Sequence, residues 1–148
     1  MKRVLYLRTD ICSVQLQAGG SVGHTLGVLR GLHQQGYDLY VFSSQMHAIL
    51  RELKSVLFIP LQTTFFFSFL IWKFWYLRWR LESFFSTFFF FLSIVWRTRN
   101  ERFSFIYQRY SILNFTGVLL AWYFKIPLIL EYNGSEAYWF DIPENDVW

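Results

Sequence analysis

Hydrophobic and polar positions change period several times along the chain, and each change marks an element. "RVLYL" (3–7) is a short run of aliphatic, β-branched and aromatic residues that predicts a strand buried on both faces. Polar, glycine-bearing sequence follows through 8–20 and reads as a loop. From Ser21 the period becomes helical, with Val22, Leu26, Leu29 and Leu32 on one face at spacings of three and four. Ser21 suits the N-cap of that helix and Gly36 its stop. "YDLYVFS" (37–43) predicts a second strand, "QMHAILREL" (45–53) a second helix, and "SVLFIP" (55–60) a third strand ended by proline. After a long aromatic tract, "FSFIYQRY" (103–110) predicts a strand, "ILNFTGVLLAWYF" (112–124) a helix, and "IPLILEYN" (126–133) a last strand.

Strands alternating with helices predict an α/β fold: a parallel sheet wound by right-handed crossovers, with helices on both faces. The 148 residues suffice for one such domain with a core. Ligands of parallel sheets bind beyond the carboxyl ends of the strands. That rule selects three stretches here: Asp10 to Gly20, Arg109 to Ser111, and Glu131 to Glu136.

The aromatic tract changes the picture. Residues 57–96 hold twelve of the eighteen phenylalanines and four of the seven tryptophans. Neither "FFFSFLIWKFWYLRWRL" (65–81) nor "FFSTFFFFLSIVW" (84–96) shows a clean polar stripe when wound as a helix, and helices apolar all round are buried in protein or lipid. Neither run reaches the ~18 uncharged apolar residues of a membrane span. Of the formal charge of +4, residues 1–72 carry +3, 73–102 carry +4 and 103–148 carry −3, so positive charge concentrates where the chain is greasiest. That coincidence predicts peripheral contact with an anionic membrane through Trp72, Lys73, Trp75, Arg78, Trp79, Arg80, Arg97 and Arg99, and argues against nucleic acid. The competing reading packs these aromatics inside the protein or in an interface. Residues 61–100 are thus expected to form an aromatic, basic helical insertion in the middle of the fold.

Little other chemistry is present. A single cysteine, Cys12, allows no internal disulfide and fits a reducing compartment. The first apolar run ends at Arg8, too short for the core of a signal peptide. His24, His33 and His47 lack ligand spacing with Cys12 or with a carboxylate cluster, so no metal is expected. Asn114-Phe115-Thr116 matches a glycosylation sequon, which matters only in a secreted chain.

"AGGSVGHT" (18–25) invites comparison with two phosphate loops. Against the P-loop pattern, Ala18 stands at the first glycine and His24 at the lysine that neutralises β- and γ-phosphates. Against the dinucleotide fingerprint, Gly19, Gly20 and Gly23 read G-G-x-x-G, and the second strand ends in Phe42-Ser43-Ser44 where a ribose-gripping acid belongs. Two readings stay open: a tight strand-to-helix turn, or a glycine loop that lets a ligand approach the N–H groups of a helix start. At the other two stretches, Arg109 can fork hydrogen bonds onto a phosphate or carboxylate, and Glu131 and Asn133 project to one side and suit sugar hydroxyls. Arg109 and Glu131 read equally well as a mutual ion pair, and Asn133-Gly134 as a turn.

Taken in order, the first strand, the "GG" loop, the helix with His24, "GLHQQGYDLYVFSS", and "FIYQRYSILNFTGVLLAWYFKIPLILEYNGSE" (105–136) resemble the N-terminal domain of family 4 retaining glycosyltransferases, of GT-B fold. The resemblance covers residues 1–56 and 103–136. It implies a Rossmann-like half of a two-domain enzyme, in which this half holds the acceptor while a second half binds the nucleotide sugar and carries paired glutamates. It assigns substrate-side roles to Gly19, Gly20 and His24 at the loop, and to Arg109, Glu131 and Asn133 on the same cleft. It further implies no metal or other cofactor, a lipid-linked or polysaccharide acceptor, and a peripheral place on the cytoplasmic face of the membrane. Since the sequence ends at Trp148, residues 1–148 are expected to be an incomplete acceptor-side domain without a donor domain and without turnover of its own. The rival classes are a non-catalytic, membrane-associated α/β scaffold and a nucleotide-linked oxidoreductase fragment.

Overall fold

Val4, Leu5, Tyr6 and Leu7 are all fully buried, so the first strand needs cover on both faces. The computed structural model describes residues 2–9, 20–43, 56–60, 75–111 and 113–132, with the side chains of 20–22, 56–60, 75–80 and 82 outside that description. It contains strands β1 (Lys2–Arg8), β2 (Tyr37–Ser43), β3 (Val56–Pro60), β4 (Phe105–Arg109) and β5 (Leu128–Glu131). The helices are α1 (Gly20–Gln34), α2 (Trp75–Thr98) and α3 (Thr116–Phe124). The strands form one sheet in the order β3-β2-β1-β4-β5, and every neighbouring pair is parallel.

From β1 the chain moves outward one way through β2 and β3, then returns to β4 and moves the other way to β5. Crossovers of one hand then place helices on opposite faces. Accordingly α1 covers Val4, Tyr6, Leu39 and Val41 with Leu26, Leu29 and Leu32. The alternate residues Leu5, Leu7, Phe42 and Ile106 meet Phe90 and Ile94 of α2 and Leu120 of α3 on the other face. The expected α/β fold with helices on both faces is therefore the observed one.

Several boundaries differ from the sequence reading, each for a local reason. The first helix starts at Gly20 rather than after a Ser21 cap, so the second glycine of the pair belongs to the helix. Gly36 ends the connection to β2 at φ +80°, a conformation that only glycine adopts without strain. The helix expected from 112 starts at Thr116, because Leu113 has φ 56° and Asn114 turns its Oδ1 back to accept from the Thr116 N–H at 3.2 Å. That makes Asn114 a buried capping residue, not an open sequon. The helix expected over 45–53, the loop 10–19 with Cys12 and Gly19, residues Trp72 and Lys73, and the Asn133-Gly134 turn all lie outside the described residues.

The aromatic tract resolves differently from an insertion. Helix α2 is the crossover between β3 and β4 and supplies the core with Phe90 and Ile94. Its buried stripe is Ser83, Thr87, Phe90, Ile94 and Thr98, at spacings of three and four, while Phe84, Phe85, Phe88 and Phe89 face outward. Hydroxyls are tolerated inside because the helix satisfies them itself: Thr98 Oγ1 donates to Ile94 O at 2.7 Å and Thr87 Oγ1 to Ser83 O at 3.3 Å. Among the described residues no helix is long and apolar enough to cross a membrane.

Candidate functional site

The two ends of the sheet differ in their charges. At the amino end, Arg3 pairs with Glu101 and lies 4.0 Å from Asp38, tying β1 to its neighbours in an ordinary ion-pair cluster. At the carboxyl end, the last residues of four strands form a row. Arg8 of β1 is in register with Ser43 of β2, and Arg109 of β4 with Glu131 of β5. Because Leu7 is in register with Gln108, Arg8 and Arg109 are the next positions on adjacent strands. Residues in register share a face, and Arg8 alternates with Tyr6 and Val4, so this row lies on the α1 side. The gap between β1 and β4 is also where the strand order reverses, the place where open parallel sheets receive ligands.

Helix α1 brings its first turns over this row. Thr25 is buried, and its Oγ1 accepts a hydrogen bond from the guanidinium of Arg8 at 3.0 Å. That contact fixes the helix lengthwise and sideways, and it turns the preceding residue towards β5. His24 Nε2 lies 3.1 Å from Glu131 Oε1. The imidazole side chain is 49% exposed while the carboxylate side chain is only 7% exposed. A buried carboxylate thus backs a half-open ring.

Two tyrosines floor the site. Tyr6 and Tyr107 stack with ring centroids 5.5 Å apart and planes 11° from parallel. Burial, then the charge of Glu131 and a hydrogen bond to it, push the Tyr107 phenol up to about 12, so it remains a donor to that carboxylate. Burial also pushes the Tyr6 phenol up, against the opposing influence of the Thr25 hydroxyl and of Arg8 and Arg109. Both guanidiniums therefore act on the same ring, along with Glu131. Two fixed cations and one carboxylate, roofed by a helix start with no acid in its first turn, make a place suited to an anionic group beside a hydroxyl.

Of the residues singled out from sequence, the structure brings His24 and Glu131 into contact and sets Arg109 beside Glu131 in register. Gly20 opens α1, while Gly19 and Asn133 lie outside the described residues. Arg97 and Arg99 are exposed at the far end of α2, with the Arg99 guanidinium 4.9 Å from the Trp96 ring centroid. Trp75, Arg78, Trp79 and Arg80 fall on the same helix, their side chains outside the description. Arg8, Thr25 and Tyr107 are site residues that sequence reasoning missed. Arg8 had one available signal, its place at the carboxyl end of the first strand. No group of three or more His, Cys, Asp or Glu suited to a metal occurs among the described residues.

No family model and no curated protein matches the chain. Solved structures do. The C-terminal domain (residues 78–226) of the PF1911 hydrogenase from Pyrococcus furiosus is similar with a TM-score of 0.57 at 9% identity, over 88% of this chain and 90% of that one. MurG from Acinetobacter baumannii, a glycosyltransferase of GT-B fold, is similar with a TM-score of 0.53 at 17% identity, over 89% of this chain. The chain spans 35% of the MurG chain. At these identities the likeness concerns the fold alone: a Rossmann-like parallel sheet with helices on both faces, which fits one half of a GT-B architecture.

Proposed function

We propose that this chain supplies the acceptor-side wall of a GT-B glycosyltransferase, which moves a sugar from a nucleotide-sugar donor to a lipid-linked or polysaccharide acceptor. The observation that carries this reading is the contact between His24 and Glu131, set beside Arg109 and the buried Arg8 at the reversal point of the sheet. The acidic, basic and imidazole groups there match the needs of sugar hydroxyls and a phosphate. The fold likeness to MurG supports it. A nucleotide-linked redox domain is the second reading, favoured by the end-to-end likeness to the hydrogenase domain.

Titration of the isotope-labelled chain by NMR separates them. Farnesyl phosphate, standing for a lipid-linked acceptor, or UDP-glucose is expected to shift the His24 imidazole and Arg109 guanidinium resonances. Shifts with NADH alone favour the redox reading, and silence from all three probes removes the transferase reading.

The same reading places the chain peripherally on an anionic, cytoplasm-facing membrane. Its support is the exposed apolar surface of Phe84, Phe88, Leu92 and Trp96 on α2 and Trp122 on α3, beside Arg97 and Arg99. Basic residues near such a surface contribute about 1 kcal/mol each. The chain is expected to float with phosphatidylglycerol vesicles, and replacement of Arg78, Arg80, Arg97 and Arg99 by glutamine to leave it at the bottom of the gradient. Unchanged flotation of that variant removes the electrostatic contact.

A further inference from the structure

We infer that His24 is the general base for the acceptor hydroxyl, held in its working orientation by Glu131 and Tyr107. This rests on the transferase reading above and specifies its chemistry. With Nε2 turned to Glu131 Oε1 at 3.1 Å, the carboxylate fixes the Nε2–H tautomer and leaves the lone pair on Nδ1. Tyr107 donates to the same carboxylate, which keeps that group an acceptor and limits its rotation. Tyr107, Glu131 and His24 thus form a chain running from the covered floor of the site to its open side.

A purely structural latch between α1 and β5 accounts for this less well. An exposed ion pair contributes about 0–1 kcal/mol, whereas desolvating a carboxylate costs several. Here the carboxylate is buried and the imidazole is not. That asymmetry gains little stability, but it is how a base is oriented: a covered orienting group and an accessible ring. The other charged groups facing the dyad are Arg8 and Arg109, both cations acting on the stacked tyrosines below it.

In the reaction, the acceptor O–H proton passes to Nδ1 as its oxygen bonds to the anomeric carbon. The bond from that carbon to the diphosphate oxygen breaks, and its electron pair leaves with the nucleoside diphosphate. The imidazolium, held against Glu131, then releases its proton to solvent. A single displacement of this kind inverts the anomeric carbon, in contrast to the retention that the sequence resemblance implies.

Diethylpyrocarbonate, which acylates unprotonated imidazole nitrogen, reads the dyad without turnover, with modification followed per histidine by mass spectrometry. His24 is expected to react about fivefold faster than the exposed His33 of the same helix. Glu131→Gln is expected to bring it down to the His33 rate, Glu131→Asp to keep most of the excess, and Tyr107→Phe to lower it by about half. Equal His24 rates in the native chain and Glu131→Gln overturn the dyad. An excess rate that neither farnesyl phosphate nor UDP-glucose suppresses leaves the dyad standing but removes the transferase reading, and with it the acceptor role. Product of retained configuration, read from proton coupling constants, overturns the base role itself.

Discussion

Phe90→Ala is expected to lower the unfolding free energy by about 4 kcal/mol, while Phe88→Ala and Phe89→Ala each change it by less than about 1 kcal/mol. The three residues are chemically identical and adjacent on one helix, so only their orientation separates them. Phe90 is fully buried among Leu5, Leu7, Phe42, Ile94 and Ile106, and truncating it removes a large apolar contact and leaves a cavity. Phe88 and Phe89 are 49% and 44% exposed, so their truncation removes little. Urea unfolding of the three variants measures the contrast. Equal losses in all three would mean that α2 does not present this stripe to the sheet, and the assignment of α2 as the crossover helix would fall with it.

That orientation explains why the aromatic tract was hard to read from sequence. Amphipathicity is normally legible because the apolar face is the buried one. In α2 the relation is partly reversed: Ser83, Thr87 and Thr98 point inward, their hydroxyls satisfied, while four phenylalanines point outward. No periodicity rule finds a core stripe marked by threonine. Strand β2 is the opposite case. Tyr37–Ser43 matches the expected residues at both ends, because an apolar run bounded by a glycine turn needs no tertiary information.

The site divides in the same way. His24, Arg109 and Glu131 were legible because the order of strands and helices places them at the carboxyl ends, where polar residues are conspicuous. Arg8 was not, since a cation at 2% exposure contradicts every expectation about where arginine sits, and reading β1 as ending at Leu7 hides it. Tyr107 looks like one more core aromatic until its stacking on Tyr6 and its bond to Glu131 are seen. Contacts between residues 24 and 131 cross the whole fold, and no single stretch of sequence encodes them.

Gly117→Ala tests how β4 holds α3 in place. The start of this helix is capped from outside: the backbone N–H of Gly117 donates to Gln108 Oε1 at 2.7 Å, and Gln108 Nε2 donates to Asn114 O at 3.3 Å. Thr87 adds a bridge from α2, its Oγ1 accepting from the Phe115 N–H at 3.2 Å. A Cβ on residue 117 would stand 2.0 Å from Gln108 Oε1 and 3.1 Å from Leu128 Cδ1. The glutamine amide is a flexible end and can swing away, but it is buried, so moving it strands its own polar atoms and uncaps the helix. Each such loss costs about 1–3 kcal/mol, against a helix-propensity gain of about 1 kcal/mol for alanine over glycine. The net expected loss is about 3 kcal/mol. Gln108→Ala in the same chain removes the clash, so the double variant should lose less than the sum of the singles, with a coupling of about 1–3 kcal/mol in urea unfolding. A neutral Gly117→Ala would mean that the glutamine cap does not hold the helix, and that α3 stays seated through Leu120 and its apolar neighbours alone.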